Sequence, residues 1–328
     1  MVKKYLPCLL LLAATPVLAK PTLTIYTYDS FAADWGPGPA IKKAFEADCD
    51  CELKFVALED GVSLLNRVRM EGKNSAADIV LGLDNNLLQA AKQTGLFAAS
   101  QVDTRQLTVP GGWQDNTFVP YDYGYFAFVY NRDKLKNPPK SLKELVSSDQ
   151  PWKIIYQDPR TSTPGLGLLL WMQKVYGDQA AEAWQQLAKK TVTVTKGWSE
   201  AYGLFLKGES DLVLSYTTSP AYHLIEEKKD NYAAANFSEG HYLQVEVAGK
   251  LKASKNPELA ERFMQFMVTP AFQNTIPTGN WMYPVIKTTL PAGFEQMTVP
   301  QTALQFSSED VAKQRSQWVQ AWQNAVSH

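Results

Sequence analysis

The sequence has no surplus of charge of either sign: 32 Lys and Arg stand against 33 Asp and Glu, a net charge of −1 over 328 residues. Without a basic excess there is no electrostatic footprint for nucleic acid or anionic lipid, and both are excluded as partners. Histidine is scarce, with only His223, His241 and His328, and there is no His-Glu-x-x-His pair, no Gly-x-Ser-x-Gly elbow and no Walker loop. Gly165-Leu166-Gly167 lacks the third glycine of a dinucleotide-binding turn. Glycine and proline, 19 each, are not concentrated anywhere, and no internal repeat or low-complexity stretch occurs, so fibrous and disordered classes are excluded. Long hydrophobic runs are absent too, apart from one at the amino end that falls short of the roughly 20 residues a bilayer demands.

That one run has the layout of an export signal. Lys3 and Lys4 precede the apolar stretch Leu6 to Val17, and Val17-Leu18-Ala19 closes it on a small residue, which predicts a signal peptide over 1–19 with cleavage after Ala19. Removal takes two lysines and no acids, moving the net charge from −1 to −3. No direct membrane anchor is expected in what remains. Of three cysteines, Cys8 leaves with the signal, and it precedes most of the apolar run, which argues against a lipoprotein cysteine. Cys49 and Cys51 are too few for a metal site; they either bridge in an oxidising compartment or flank the start of a strand as free thiols.

What is present is a regular alternation of strand and helix, in a chain long enough for about two domains. Residues 22–26, 51–58 and 77–83 read as strands, with helical spacing over 39–48, 61–71 and 86–94 between and after them. This order implies a parallel sheet with right-handed crossovers and both faces covered. The β-prone stretch 118–131 crosses to a second lobe. There, strands at 153–157, 191–195 and 211–216 alternate with helices at 165–176, 179–189, 199–207 and 219–227, and Ser141 with Glu144 forms a capping box. Residues 242–247 cross back, the amphipathic helix 257–267 returns to the first lobe, and a final helix begins near Ser308. The predicted fold is α/β and two-lobed, with lobe 1 over 20–122 plus 247–280, lobe 2 over 123–246 plus 281–328, and a ligand cleft between them.

Ligands of open α/β sheets bind beyond the carboxyl ends of the strands, so the residues that follow each strand are candidates. In the first lobe these are Thr27, Tyr28 and Asp29, then Glu59, Asp60 and Gly61, then Asp84 and Asn85. In the second they are the stretch Asp158 to Gly165 with Ser162 and Thr163, then Lys196 to Ser199 with Trp198, then Tyr216, Thr217, Thr218, Ser219 and Pro220. Aromatics, carboxylates and hydroxyls therefore share one rim, a mixture suited to a flat cation: ring faces attract positive charge, and carboxylates neutralise it and accept hydrogen bonds from amines. Two or three cation–π contacts supply at most roughly 6 kcal/mol where micromolar binding needs about 8.2, so Asp60 and the hydroxyl residues must contribute the remainder. Each aromatic taken singly fits a core position equally well; the set carries the inference. Arg160 to Gly165 would receive a phosphate at a helix start, or is an ordinary cap made by Ser162 or Thr163.

Four segments together carry a family resemblance: Leu-Thr-Ile-Tyr-Thr-Tyr-Asp-Ser-Phe, Leu-Glu-Asp-Gly-Val-Ser-Leu-Leu-Asn-Arg, Gln-Asp-Pro-Arg-Thr-Ser-Thr-Pro-Gly-Leu-Gly and Gly-Glu-Ser-Asp-Leu-Val-Leu-Ser-Tyr-Thr-Thr-Ser-Pro-Ala-Tyr. The exported chain that contains them resembles the thiamine-binding periplasmic proteins of ABC transporters, in the type II periplasmic solute-binding superfamily, over nearly its whole mature length. The Asp-Pro-Arg and Gly-Glu-x-Asp pieces are shared with iron- and spermidine-binding relatives; the Tyr-Thr-Tyr-Asp-Ser and Ser-Tyr-Thr-Thr-Ser-Pro-Ala-Tyr pieces are more specific. The resemblance implies a periplasmic, non-enzymatic binder of thiamine or its phosphates, with no cofactor, that serves an inner-membrane ABC permease with its ATPase. It implies that Asp60 and Gly61 contact the aminopyrimidine, that Tyr28, Tyr222 and Trp281 enclose the rings, that Trp198 and Tyr216 to Ser219 line the pocket, and that Ser162 and Thr163 meet the hydroxyethyl or phosphate end. Tyr222 and Trp281 enter mainly on this ground. The alternatives are a ferric-ion binder of the same fold, which would want adjacent tyrosines that this sequence lacks; a secreted hydrolase using a carboxylate pair such as Asp29 and Asp60; and an adhesive or scaffolding protein.

Overall fold

A computed structural model describes residue 2 and residues 15–327; the predicted signal therefore lies largely outside the described residues, and 15–21 carry no regular element. The first strand, β1 (Thr22–Tyr28), is rich in β-branched and aromatic residues and sits between two parallel partners, β2 (Glu52–Leu58) and β3 (Ile79–Asp84). Every residue of β3 is buried, as expected for an inner strand covered on both faces. The crossovers are α1 (Gly38–Cys49), which buries Ile41 and Phe45, and α2 (Gly61–Glu71), which buries Val62, Leu64, Leu65 and Val68. After α3 (Leu88–Gln93) comes the 14-residue strand β4 (Phe118–Asn131).

The second half repeats the plan. The capping box at Ser141 opens α4 (Leu142–Ser147), with the Ser141 side chain accepting from the Glu144 backbone N–H. Next come β5 (Ile154–Gln157), α5 (Thr163–Tyr176), α6 (Ala180–Ala188), β6 (Thr191–Thr195), α7 (Trp198–Leu206), β7 (Leu212–Tyr216) and α8 (Ser219–Glu226). The long strand β8 (His241–Leu251) returns to the first half, followed by α9 (Pro257–Met267) and, last, α10 (Ser308–Val326). Short elements with no sequence period of their own lie at Asp29–Ala32, Tyr232–Ala234, Ile276–Gly279 and Tyr283–Pro284.

The main strands run in the order β2-β1-β3-β8-β4-β7-β5-β6. Outer strands pair in parallel within each half, whereas β8 and β4 are antiparallel to each other and to their outer neighbours. The two sheets expected from the sequence are thus joined: the first part of β4 pairs with β8, and from Phe126 onward it pairs with β7. Register shifts beside Glu246 and Val247 interrupt β8 against both neighbours, and such bulges bend a strand and re-aim its side chains. The last helix, α10, packs on α6 and α5 of one half and on α3 of the other, and Trp322 donates from Nε1 to the Tyr156 hydroxyl at 3.0 Å. Cys49 and Cys51 are joined as a disulfide.

Candidate ligand-binding site

The carboxyl ends of β1 and β7, the starts of α2 and α7, and the segment after Ile276–Gly279 surround a cavity of about 350 Å³. The volume falls within the range of small-molecule sites. Seven of the twelve residues expected from sequence line it: Tyr28, Asp60, Trp198, Tyr216, Ser219, Tyr222 and Trp281. Among the described residues, no lysine or arginine does.

Asp60 precedes α2 in extended conformation and caps it, accepting from the Gly61 N–H at 2.8 Å. Its carboxylate also accepts from Ser162 Oγ at 2.8 Å, from Thr163 Oγ1 at 3.4 Å and from the Trp198 N–H at 3.1 Å. Three of its four donors thus come from the other half of the molecule, so Asp60 is a clasp across the cleft. Burial pushes its pKa up to about 7, against the pull of the Gly61, Ser162 and Trp198 donors toward the ionised form. Two further links cross nearby: Ser199 Oγ donates to Asp29 Oδ1 at 2.8 Å, and the Ser63 N–H donates to the Thr161 carbonyl at 2.9 Å.

Tyr28 closes the inner wall. Its hydroxyl donates to Glu246 Oε2 at 3.1 Å, lies 3.1 Å from the Tyr121 hydroxyl and accepts from Asn280 Nδ2 at 3.0 Å. The ring fits because position 82 is glycine: its φ is +128°, and a Cβ there would meet the Tyr28 ring at 2.6 Å. Trp198 opens α7, stacks on Tyr202 with centroids 4.9 Å apart, and donates from Nε1 to Ser215 Oγ at 2.8 Å. Ser215 in turn shares a hydrogen bond with Ser219 at 2.6 Å. Tyr216 donates from its hydroxyl to Gln244 at 2.6 Å. Tyr222 and Trp281 meet edge to face at 5.5 Å. Trp281 holds a φ of +56°, rare for a bulky side chain, while its carbonyl accepts from Thr218 Oγ1 at 2.5 Å.

The other five expected residues lie behind this lining or away from it. Gly61 is packed so closely that a Cβ would meet the Gly82 carbonyl at 2.3 Å and Thr163 Cγ2 at 2.5 Å. Ser162 caps α5, accepting from the Gly165 N–H, and its hydroxyl and that of Thr163 both turn to Asp60. Thr218 holds Trp281, and Thr217 borders a smaller cavity on the other side of α8. Arg160 is engaged by Asp158 at 2.7 Å. His223 is buried between Tyr202 and Glu227.

Sequence reading missed several lining residues: Trp35, Tyr202, Glu246, Asn280 and Met282. Glu246 had a usable signal, an acid within the alternating, otherwise mostly apolar run Tyr242 to Val247. Asn280 had none, since its place depends on the turn at Ile276–Gly279.

A two-lobed α/β fold with a ligand-sized cleft at the strand ends defines a class, the solute-binding proteins. The chain belongs to the bacterial extracellular solute-binding protein family, whose model matches residues 32–274. Within that class it is 77% identical over 327 residues, the full length of both chains, to the thiamine-binding periplasmic protein of Escherichia coli (strain K12). A solved structure of a periplasmic thiamin binding protein superposes with a TM-score of 0.93 at 78% identity, over 94% of this chain and 97% of the other. Iron-bound HitA from Pseudomonas aeruginosa, at 22% identity over 93% of this chain and 99% of its own, shares the fold with a TM-score of 0.78.

Proposed function

We propose that this protein is the periplasmic solute-binding component of an ABC importer and that its solute is thiamine, with the thiamine phosphates as further ligands. Its role is capture and delivery, without catalysis. The observation that carries the reading on the side of the molecule is the lining: Asp60 and Glu246 supply carboxylates, Tyr28, Trp198, Tyr222 and Trp281 supply ring faces, and among the described residues no cationic side chain competes. This chemistry suits a flat, permanently cationic vitamin. The full-length identity to thiamine-binding proteins points the same way, whereas likeness to the iron binder extends to the fold alone.

We place the lobes at 20–122 with 247–280 and at 123–246 with 281–328, so that two of the three boundaries fall on the long strands β4 and β8 and the third falls between Asn280 and Trp281. Flexing there would part the Asp60 clasp from Ser162 and Trp198 and open the cleft. The closed form is then what an inner-membrane permease with its ATPase would recognise. Gly61, Ser162, Thr163 and Thr218 act in this reading as the supports that place Asp60 and Trp281, and Thr217 takes no part in the lining.

Calorimetric titration of the mature chain with thiamine, thiamine monophosphate and ferric citrate tests the reading. Saturable heat with thiamine and none with ferric citrate is expected; a silent thiamine titration overturns it.

A further inference from the structure

A row of three acids crosses the sheet at the cavity floor. Glu246 on β8 stands opposite Asp84 on β3 and opposite Asp122 on β4, and all three are buried. Like charges facing each other across strands destabilise a sheet unless something neutralises them. Asp84 has donors of its own, the Asn86 N–H and Gln244 Nε2, and Arg315 of α10 lies toward it. Asp122 and Glu246 have less. Neutral groups alone serve them: Asn280 Nδ2 donates to Asp122 Oδ2 at 2.7 Å and Glu246 Oε2 at 3.3 Å, and the Tyr28 hydroxyl donates to Glu246. Asp122 Oδ1 is buried with no hydrogen-bond partner, and among the described residues no lysine or arginine pairs with either carboxyl. Only Glu246 of the two reaches the cavity, beside the bulge.

We propose that the Asp122–Glu246 pair holds one shared proton before ligand enters and releases it when a cation settles against Glu246, so that capture is linked to proton loss. This deepens the thiamine reading and rests on it. Two facing carboxylates served only by neutral donors cannot both ionise, whereas a cation in the cavity supplies the missing countercharge. One carboxyl O–H bond breaks, its electron pair stays on oxygen and the proton passes to water; nothing is oxidised or reduced. Glu246 is the group that would touch the ligand, and Asp122 acts through it as a positioning residue. Burial pushes Asp122 up to about 6 and Glu246 well above the usual carboxylate range; Asp122 raises Glu246 further, while hydrogen bonding from Glu246 and Asn280 draws Asp122 part of the way back. The groups that face the pair agree in sign or are neutral: Tyr28 from β1, Asp84 from β3, Tyr121 from β4, Tyr216 from β7, Asp60 at the start of α2, and Asn280.

The test is titration of the mature chain with thiamine at about pH 6.5 in two buffers of different ionisation heat, whose comparison counts protons released. The expected count is roughly half to one, with affinity rising up to about tenfold per pH unit where one proton leaves. The variants Glu246→Gln and Asp122→Asn should each lower the count by about half or more while the melting curve stays cooperative, a readout that a merely structural role would not move. If one variant fails to fold, the other decides. Thiamine heat with no buffer dependence overturns the proposal, as does a count unchanged in the variants, which would assign the proton to Asp60. No thiamine heat from the unaltered chain would instead overturn the function reading.

Discussion

In the proposed site Asp60 combines two demands that conflict: it is buried, and it would offer negative charge to a cation. Its four donors reconcile them by stabilising the carboxylate while burial opposes it. Asp60→Ala is expected to weaken thiamine binding about tenfold to a hundredfold, from loss of a charge-assisted contact of about 1.5–3 kcal/mol, without abolishing the cooperative melt. Calorimetry with a parallel thermal scan checks both parts, and unchanged affinity would remove Asp60 from the site. Trp198→Ala should weaken binding about threefold to thirtyfold, the value of a cation–π contact of about 0.5–2 kcal/mol, because the indole faces the cavity while its N–H is held by Ser215.

The helices and strands were largely legible in the sequence, because each long element carries its own period. The helix expected over 61–71 is α2 to the residue, and the one expected from 165 starts at Thr163 because Ser162 takes the cap. Elements of two to four residues had no period to read, and the turn at Ile276–Gly279 that places Asn280 and Trp281 is among them. Close approaches between elements were equally hidden. Gly82 is one case: its positive φ and its contact with the Tyr28 ring leave no room for a side chain. Gly82→Ala should lower stability by about 1–3 kcal/mol and weaken thiamine binding through displacement of Tyr28, with urea unfolding and titration as the two measurements.

For the molecule as a whole, the buried acids make folding itself depend on pH. Asp60 at about 7, and Asp84 and Asp122 at about 6, hold protons that the unfolded chain gives up near 4. A carboxyl whose folded pKa is raised contributes stability that is present below its unfolded pKa and lost as pH rises through its folded one. The unliganded protein should therefore lose stability between about pH 4 and pH 7, read from the urea midpoint, and saturating thiamine should offset much of that loss at neutral pH. A midpoint flat across this window would contradict the assignment of these acids.

By itself, the sequence determined the class: local periodicity set the strands and helices, the alternation set the α/β architecture, and strand-end position named Tyr28, Asp60, Trp198 and Tyr216, because backbone direction alone decides where a parallel sheet offers its rim. Tertiary structure alone decided how those residues are used. Ser162 and Thr163 turn to Asp60, Glu246 joins the lining, and Asp122 faces it across two strands 124 residues apart in the chain. Such pairings depend on register and on a bulge, and a one-residue slip in either would point the side chain to the opposite face.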